Sequence, residues 1–324
     1  MKELIPLICP VHQRQLTLRN DTEYSCPVGC KYPIIHSIPR FVSLKNYADS
    51  FGLQWNEYKK TQLDSFTKTS ISEDRLQRIL GGSLEILKGK HILEAGCGAG
   101  RFTEILLNEG GNVFAADLST TVEANYENCR SFPNYFVCQA DITSLPVRPE
   151  TFDIVICIGV IQHTPNPEKT MESLSSYVRP GGLLVIDHYT HGYPETPSRV
   201  IIRSILLHMN PRFSMKFNKV LTNFLWPVHR FLGIHRKNPW IRGLRSLFLY
   251  LSPLVDYHDS YPQLNQEQLK TWAMFDTHDT LTDRFKHLRT GEEIRDQLHR
   301  CGMEKIEITL AGNGIEARSL KSLK

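Results

Sequence analysis

The chain has 324 residues and a formal net charge of +4, a size that allows one large domain with additions or two modest domains. It contains no stretch of about 18 uncharged apolar residues, so we expect no membrane-spanning helix. The start MKELIPLICPVHQ has an early acid and too short an apolar run for a secretory signal. We therefore expect a cytoplasmic protein whose eight cysteines are thiols or metal ligands rather than a disulfide framework.

Residues 1–43 are predicted to form a small module of short strands that carries two cysteine motifs. Cys-Pro-Val-His at 9–12 is followed, after thirteen residues, by Cys-Pro-Val-Gly-Cys at 26–30. Thiolates and an imidazole at this spacing suit a tetrahedral, structural zinc site, for which His36 is a competing ligand. The predicted ligands are Cys9, His12, Cys26 and Cys30.

Residues 44–90 are predicted to be a helical segment that leads into the next domain. Leu76, Ile79 and Leu80 recur at helical spacing. Ser72 stands where a helix-capping side chain is expected.

From His91 onward, strand and helix patterns alternate. The predicted strands are HILEAG, NVFAADL, YFVCQAD, FDIVICIG and GLLVIDHY, and the predicted helices are residues 101–109, 119–130 and 167–178. Asn166 and Pro167 give the last of these helices a clear start. Alternation at this spacing predicts an α/β fold with a parallel, doubly wound sheet. A helix closed by Gly302 and two alternating strands around GNG then predict a terminal antiparallel hairpin.

The glycine-rich stretch ILEAGCGAGRF at 92–102 ends the first of these strands, where a backbone turn can approach a nucleotide. A dinucleotide-binding fingerprint needs the spacing Gly-x-Gly-x-x-Gly. Counted from Gly96, the third glycine is replaced by Arg101, and counted from Gly98 it is replaced by Thr103. The chain has Glu-x-Gly-x-Gly-x-Gly instead. A carboxylate there repels a pyrophosphate but suits a ligand with a sulfonium and an ammonium group.

This motif resembles the first motif of the class I S-adenosylmethionine-dependent methyltransferases. Residues 91–189 follow the strand and helix order of that family's core, and residues 286–321 match its final helix and hairpin. The resemblance implies a Rossmann-like sheet of seven strands with a terminal antiparallel hairpin. It also implies a methyltransferase domain over residues 91–324, with a basic helical insert at about 190–285, after the fifth strand.

The resemblance assigns roles to residues at the ends of the strands. The glycine loop holds the methionine part of S-adenosylmethionine, Asp117 binds the ribose hydroxyls, and Asp141 and Ile142 contact the adenine. The end of the fourth strand lies beside the reacting methyl group. The implied cofactor-binding residues are Glu94, Gly96, Gly98, Gly100, Asp117, Leu118, Asp141, Ile142, Ile158 and Gly159. The alternative is ordinary turn chemistry, or helix capping in the case of Asp141.

The stretch GVIQHTPNP after the fourth predicted strand bears on the methyl acceptor. It lacks the Asn/Asp-Pro-Pro-aromatic motif of methyltransferases that act on exocyclic amines of nucleic-acid bases, and it looks more like the quinone-type O- and C-methyltransferases. We therefore expect transfer to an O or C nucleophile of a small, lipid-linked or saccharide-type metabolite, with an RNA methyltransferase as the alternative. The candidate catalytic residues at the ligand edge of the sheet are His163, His188 and Tyr189. His163 either acts as a general base or orients its loop.

Residues 198–255 carry ten Lys or Arg and no Asp or Glu, which leaves 28 basic and 34 acidic residues in the rest of the chain. Three interpretations of this segment remain open: a lid whose apolar face packs on the core, a helix at the surface of an anionic membrane, and an RNA-binding segment. The stretch FDTHD groups Asp276, His278 and Asp279 in a region that is able to cover the site. We expect a solvated loop there rather than a metal site.

Ahead of a methyltransferase core, the N-terminal module with its continuation KYPIIHSIPRFV resembles a Trm112-type, zinc-ribbon-like segment. That resemblance implies a structural Zn²⁺. The pattern departs from the family at His12, where a second cysteine is usual, and in having three residues between Cys26 and Cys30. A decayed ribbon that keeps only its strands is the alternative.

Overall fold

The computed structural model describes residues 5–44 and 46–323. The first four residues of the start that we expect to carry no secretory signal therefore lie outside the described residues, as does residue 45 of the predicted helical lead-in. Within the described part of the chain, no helix combines the length and the apolar character needed to cross a membrane.

Four short strands form an antiparallel sheet in the N-terminal module, which confirms the prediction of strands there. They are β1 (Thr17–Arg19), β2 (Glu23–Ser25), β3 (Lys31–Ile35) and β4 (Ile38–Pro39), in that order across the sheet. The backbone N–H of Ile8 donates to the carbonyl of Pro146 at 2.9 Å, and that of Phe41 donates to the carbonyl of Gln139 at 2.8 Å. The buried Tyr24 shares a hydrophobic cluster with the main sheet. The module is therefore packed on the rest of the protein.

Helices lead from this module into the main sheet, as predicted. They are α1 (Asp49–Glu57), α2 (Asp64–Thr67), α3 (Ile71–Leu80) and a short 3₁₀ helix (Leu84–Leu87). The prediction that Ser72 caps α3 is wrong, because Ser72 lies inside the helix and its hydroxyl donates to the carbonyl of Gln62. The carboxylate of Asp64, in the preceding helix, accepts from the N–H groups of Ser72 and Glu73 instead.

Seven strands form the main sheet, in the order β10-β11-β9-β8-β5-β6-β7. They are β5 (His91–Ala95), β6 (Asn112–Asp117), β7 (Tyr135–Gln139), β8 (Phe152–Cys157), β9 (Val178–Tyr189), β10 (Met303–Ala311) and β11 (Gly314–Lys321). Strands β5 to β9 are parallel, whereas β11 is antiparallel to both β9 and β10. This topology confirms the predicted Rossmann-like sheet with its terminal hairpin.

Helices cover the sheet on both faces, which explains why its inner strands are continuously apolar. They are α4 (Thr103–Asn108), α5 (Val122–Cys129), α6 (Pro167–Tyr177) and α11 (Gly291–Arg300). The predicted start of α6 is confirmed, since the Asn166 side chain accepts from the backbone N–H of Lys169 at 2.9 Å.

A helical insert separates β9 from α11, as predicted. It consists of α7 (Pro197–Leu206), α8 (Pro211–Ile234), α9 (Pro239–Leu251) and α10 (Gln266–Thr282). Helix α10 packs against both α7 and α8. The indole N–H of Trp272 in α10 donates to the carbonyl of Thr61 at 2.9 Å. The insert is thereby joined to the helical lead-in across the end of the sheet.

A buried ion-pair network joins the lead-in to the sheet. Asp187 in β9 is fully buried and accepts from the Arg75 guanidinium of α3 at 2.6 Å. Glu316 in β11, also buried, accepts from Arg78 at 2.7 Å and lies 3.9 Å from Arg75. Helix α3 is therefore fixed to two strands of the sheet by ion pairs whose carboxylates are buried.

Candidate active site

A cavity of about 400 Å³ lies at the carboxyl ends of the parallel strands. The segments that follow β5, β6, β7, β8 and β9 all contribute to its wall, and residues of α1, α10 and the α9–α10 connection close it from the other side. In open parallel sheets ligands bind at this edge. Nine of the ten residues that are implied to bind the cofactor line the cavity, and Gly100 is the exception.

The glycine-rich loop after β5 needs glycine because its backbone adopts positive φ angles and because a side chain at Gly96 would collide with a neighbour. Gly96 has φ +79°, and a Cβ there would lie 2.2 Å from a methyl group of Val160. Gly98 has φ +51°, and no atom lies within 4 Å of where its Cβ would stand. The side of Gly98 that lacks a side chain therefore faces open space, where a bound molecule can approach the backbone.

Glu94 closes β5 beneath this loop. It lines the cavity, is buried, and accepts a hydrogen bond from the hydroxyl of Thr103. Burial raises the pKa of the Glu94 carboxyl to about 8, so that the group is mainly protonated at neutral pH. A cationic ligand placed beside it favours the carboxylate and opposes this shift.

Asp117 ends β6 on the opposite side of the glycine loop. One of its carboxylate oxygens accepts from the N–H of Gly98 at 3.0 Å, and the other accepts from the N–H and hydroxyl of Ser119 at 2.8 and 2.7 Å. The carboxylate therefore organises two turns. Asp117 and the adjacent Leu118 both line the cavity.

Asp141 and Ile142 follow β7 and also line the cavity. Asp141 caps the short 3₁₀ helix Ile142–Ser144, because its side chain accepts from the N–H and the hydroxyl of Thr143, each at 2.8 Å. The capping role that the sequence left open is thus present in the structure, and it fixes the carboxylate at the edge of the cavity.

Ile158 and Gly159 follow β8 in the centre of the sheet edge. Gly159 has φ +78°, and its N–H donates to the buried Asp187 carboxylate at 2.5 Å. The ion pair of Asp187 with Arg75 is therefore linked directly to the backbone of the cavity floor.

Two of the three candidate catalytic side chains lie together in the cavity wall. The rings of His163 and Tyr189 meet edge to face at 5.3 Å, and Tyr189 stacks on Tyr193 at 4.1 Å. The Nδ1 of His163 donates to the carbonyl of Phe285 at 3.1 Å, and burial lowers the pKa of His163 to about 4. His163 is therefore a neutral imidazole at pH 7.

His188 does not reach this wall. Successive side chains of a strand point to opposite faces, and Tyr189, the neighbour of His188 in β9, lines the cavity whereas His188 does not. Its Nδ1 donates to the carbonyl of Tyr189 at 2.8 Å, and burial lowers the pKa of His188 to about 4.

The stretch FDTHD belongs to helix α10, so the expectation of a solvated loop is wrong. Asp276 and Asp279 are one turn apart and both line the cavity, whereas His278 does not. The hydroxyl of Tyr257 donates to Asp276, and burial raises the pKa of both Asp276 and Asp279. The spacing of the two acids on one helix face was the available signal in the sequence.

Aromatic side chains that no sequence motif indicates form the roof of the cavity. Rings from the lead-in and the insert line this part: Trp55, Tyr257, Tyr261 and Trp272. Arg101, directly after the glycine motif, lies under them, with its guanidinium 5.2 Å from the Trp272 ring and hydrogen-bonded to Ser72 and Gln62. The only signal for Arg101 in the sequence was its position directly after the glycine motif.

The four predicted zinc ligands converge in the N-terminal module. The thiol sulfurs of Cys9, Cys26 and Cys30 lie 3.6, 3.7 and 3.4 Å from the Nδ1 of His12. A tetrahedral zinc ion with ordinary Zn–S and Zn–N bonds separates sulfur and nitrogen ligands by about 3.6 Å. Cys9, His12 and Cys30 lie close enough to one another to hold one ion. Cys26 is 3.7 Å from His12 but is not a member of this group, so the set that fits a zinc ion directly consists of Cys9, His12 and Cys30.

The pKa of the Cys9 thiol is lowered in this cluster. Burial alone raises the pKa of Cys9, but hydrogen bonds from Tyr32 and from the backbone outweigh it and lower the pKa to about 6. A thiolate is the form in which cysteine binds metal.

The floor of the cavity also fits the cofactor implied by the sequence. Its acids stand at the ends of three neighbouring strands, and the glycine loop leaves its backbone open to a ligand. Carboxylates at these positions suit the cationic methionine end and the hydroxyls of S-adenosylmethionine, and they oppose a pyrophosphate.

Residues 93–186 match the sequence model of a family described as "Methyltransferase domain". The chain is 34% identical over 101 residues to the ubiquinone biosynthesis O-methyltransferase of Coxiella burnetii, a stretch that covers 30% of this chain and 43% of that protein. It is 30% identical over 141 residues to the protein of the same name from Cupriavidus pinatubonensis, covering 42% and 56%. The chain thus spans about half the length of these curated relatives. Residues 93–186 therefore resemble a methyltransferase domain.

Two solved structures to which the chain is similar share little sequence with it. A putative S-adenosylmethionine-dependent methyltransferase from Methanococcus maripaludis is 15% identical, with a TM-score of 0.44, over 87% of this chain and 96% of that one. A chain in the complex between the Haloferax volcanii Trm112 methyltransferase activator and a putative methyltransferase is 12% identical, with a TM-score of 0.45, over 85% and 98%. The Trm112-like character of the N-terminal module stays a prediction.

Proposed function

We propose that this protein transfers the methyl group of S-adenosylmethionine to an oxygen or carbon nucleophile of a small, lipid-linked metabolite, with a hydroxyl oxygen as the first candidate. The main support for the proposal is that one cavity combines two features. Acids and the glycine loop form its floor, and aromatic side chains form its roof. The name of the curated relatives supports O-methylation.

The floor would hold the methyl donor. Glu94 and the loop from Gly96 to Gly100 would bind the methionine part. Asp117 and Leu118 would bind the ribose, and the pair after β7 would bind the adenine. The backbone after β8 would lie beside the activated methyl. When bound, S-adenosylmethionine supplies a methyl group that is already activated, so the protein mainly has to orient the two reactants and exclude water.

The aromatic roof would hold the acceptor. The rings of Tyr257, Tyr261 and Trp272 cluster over the cavity, with centroids 5.0 to 6.1 Å apart, and aromatic rings of this kind pack well on a planar or apolar ligand. A roofed cavity favours a small acceptor over RNA, whose bases would have to pass under the insert.

His163 is the candidate to take the proton of an acceptor hydroxyl. Because its Nδ1 donates to the Phe285 carbonyl, its lone pair is on Nε2. The carboxylate of Asp283 lies 3.6 Å from Nδ1 and would stabilise the imidazolium that forms. Burial raises the pKa of Tyr189 well above its ordinary value, so that Tyr189 would act as a phenol that positions the acceptor.

Calorimetric titration with S-adenosylmethionine at pH 6, 7 and 8 tests the donor half of the proposal. Glu94 must lose its proton when the cationic cofactor binds, because the pKa of its carboxyl is about 8 in the free protein. We expect the affinity to rise with pH, by up to about tenfold per pH unit below that value.

The variant Glu94→Gln should bind S-adenosylmethionine with an affinity that no longer changes over this range. Wild-type protein that ignores the cofactor would refute the proposed function. For the acceptor half, cell extract incubated with protein and methyl-labelled S-adenosylmethionine should give label in the lipid or small-molecule fraction, and label confined to RNA would contradict it.

We also propose that Cys9, His12, Cys26 and Cys30 hold a structural zinc ion. The distances from His12 to the three sulfurs support this set, and four protein ligands leave no open position for catalysis. The ion would join the loop before β1 to the turn between β2 and β3.

Metal analysis of purified protein should find one zinc per chain. Because the ion would join two loops of the module, Cys26→Ser should release the metal and expose these loops to limited proteolysis. Cys301→Ser, in a cysteine far along the sequence, should retain it. Zinc far below one equivalent in the wild type would favour the decayed ribbon.

A further inference from the structure

Helices α7, α8 and α9 bury several polar side chains and expose many of their apolar ones. The one fully packed charge of α9 is Arg245, which pairs with Asp256 and Asp259, while Trp240 in the same helix is 90% exposed. In α7, the guanidinium of Arg199 is buried against backbone carbonyls, including that of Pro253 at 2.8 Å. This is the reverse of the usual arrangement in a surface helix.

Helix α8 shows the inversion over its whole length. Its buried stripe is mainly polar or small: Ser214, Asn218, Thr222, Trp226, His229, Leu232 and Gly233. Asn218 donates to the carbonyl of Met274 in α10, and His229 bonds both Asp256 and Ser252. These hydrogen bonds settle which side of α8 faces the protein.

The opposite side of α8 is a continuous apolar stripe. With 3.6 residues per turn, its members fall within about 40° of Phe224 around the helix axis. They are Phe213, Phe217, Val220, Phe224, Val228 and Phe231, and Phe224 is 78% exposed. Exposed apolar side chains also occur on the adjoining helices, where α9 contacts both α7 and α8: Val200, Ile201, Ile205, Leu244, Leu247 and Leu251. We call these twelve side chains, with Trp240, the apolar face.

Basic side chains border this face on one side of α8. By the same period, they lie between the exposed and the packed stripes: Arg212, Lys216, Lys219 and Arg230. Lys219 is 3.8 Å from Glu57, whereas Arg212, Lys216 and Arg230 form no ion pair with described residues. No acid occurs between 198 and 255 to neutralise them.

We infer that the apolar face docks on the surface of an anionic lipid bilayer, with α7, α8 and α9 lying in the interface. An interfacial helix places apolar side chains among the acyl chains and basic side chains at the anionic headgroups, which is the arrangement of sectors around α8. A second copy of the chain is a poorer occupant. A twofold contact would bring two such basic borders together with no acid from this segment to neutralise them.

Flotation with vesicles tests this inference without any need for methyl transfer, so its failure is distinct from failure of the proposed function. Wild-type protein should float with vesicles of equal parts phosphatidylcholine and phosphatidylglycerol, and much less with phosphatidylcholine alone. Raised salt should weaken the binding, because headgroup attraction is screened.

Two variants and a control separate the contributions. Phe224→Glu should lower the partition coefficient at least about tenfold, and Lys216→Glu with Arg230→Glu should abolish the preference for anionic vesicles. Leu310→Glu places the same charge at a position of 77% exposure in the hairpin, and it should leave flotation unchanged. All variants should keep the circular dichroism spectrum of the wild type.

Three outcomes overturn the inference. Wild type that stays unbound to anionic vesicles at low salt excludes the bilayer. A salt-sensitive shift of RNA without flotation assigns the basic border to RNA. A dimer in light scattering that Phe224→Glu converts to a monomer, again without flotation, assigns the apolar face to a second copy.

Discussion

Replacing Asp187 by alanine is expected to lower the free energy of unfolding by about 3–5 kcal/mol. The carboxylate is fully buried and accepts from Arg75 at 2.6 Å and from the N–H of Gly159 at 2.5 Å. Its removal leaves a guanidinium with no adequate counter-charge inside the protein, because Glu316 is 3.9 Å from Arg75 and already pairs with Arg78. Urea unfolding followed by circular dichroism measures the change.

Two further variants show whether the loss comes from the uncompensated charge. Asp296→Ala removes an exposed carboxylate from α11 and should change stability by less than about 0.5 kcal/mol. Asp187→Leu combined with Arg75→Met removes both charges and should recover much of the stability. A cost below about 1 kcal/mol for Asp187→Ala would show that the network does not hold α3 on the sheet.

Asp117→Ala is expected to weaken binding of S-adenosylmethionine by about 100-fold or more. A carboxylate that accepts from two vicinal hydroxyls makes two charge-assisted hydrogen bonds, each worth about 1.5–3 kcal/mol. The same carboxylate accepts from Gly98 and Ser119 in the free protein, so the variant also loosens the glycine loop. Calorimetric titration gives the affinity directly.

Asp117→Asn separates these two effects. Its amide oxygen is still able to accept from Ser119, so the turn keeps one of its supports, but it offers only one acceptor to the two hydroxyls. We expect an affinity between those of the wild type and Asp117→Ala. Wild-type affinity in the alanine variant would contradict the proposed ribose contact.

The order of strands and helices in the main sheet could be predicted because each element carries its own local signal. Strands buried on both faces are continuous apolar runs, and α6 begins at an Asn-Pro cap whose hydrogen bond the structure contains. The positions of the acids and glycines at the strand ends follow from the same order. Their placement along one cavity could therefore be expected from the sequence.

The roof of the cavity could not be predicted because distant segments build it. Helix α10 is buried on several sides, and its sequence lacks the stripe that marks a surface helix. The cap of α3 comes from Asp64 in the preceding helix rather than from Ser72. Arg75 finds its partner Asp187 112 positions further along the chain. No local pattern encodes such contacts.

Helix α8 shows a second limit of structure prediction from the periodicity of apolar residues. The sequence displays an apolar stripe, and a stripe is normally assigned to the interior. The structure packs the polar stripe instead, since Asn218 and His229 find partners in the insert. A period predicts that a helix has two faces, and only tertiary partners decide which face is buried.

The strand order also determines when the main sheet becomes complete during synthesis. The last strand, β11, is inserted between β9 and β10 and is the antiparallel neighbour of β9, yet the whole helical insert is made between β9 and β11. Contacts so distant in sequence form slowly, because a long loop must be closed first. Until β11 leaves the ribosome, the edge of β9 presents unpaired backbone groups beside an insert whose outer surface is apolar. The nascent chain is therefore most exposed to aggregation after the insert has been made and before β11 pairs with β9.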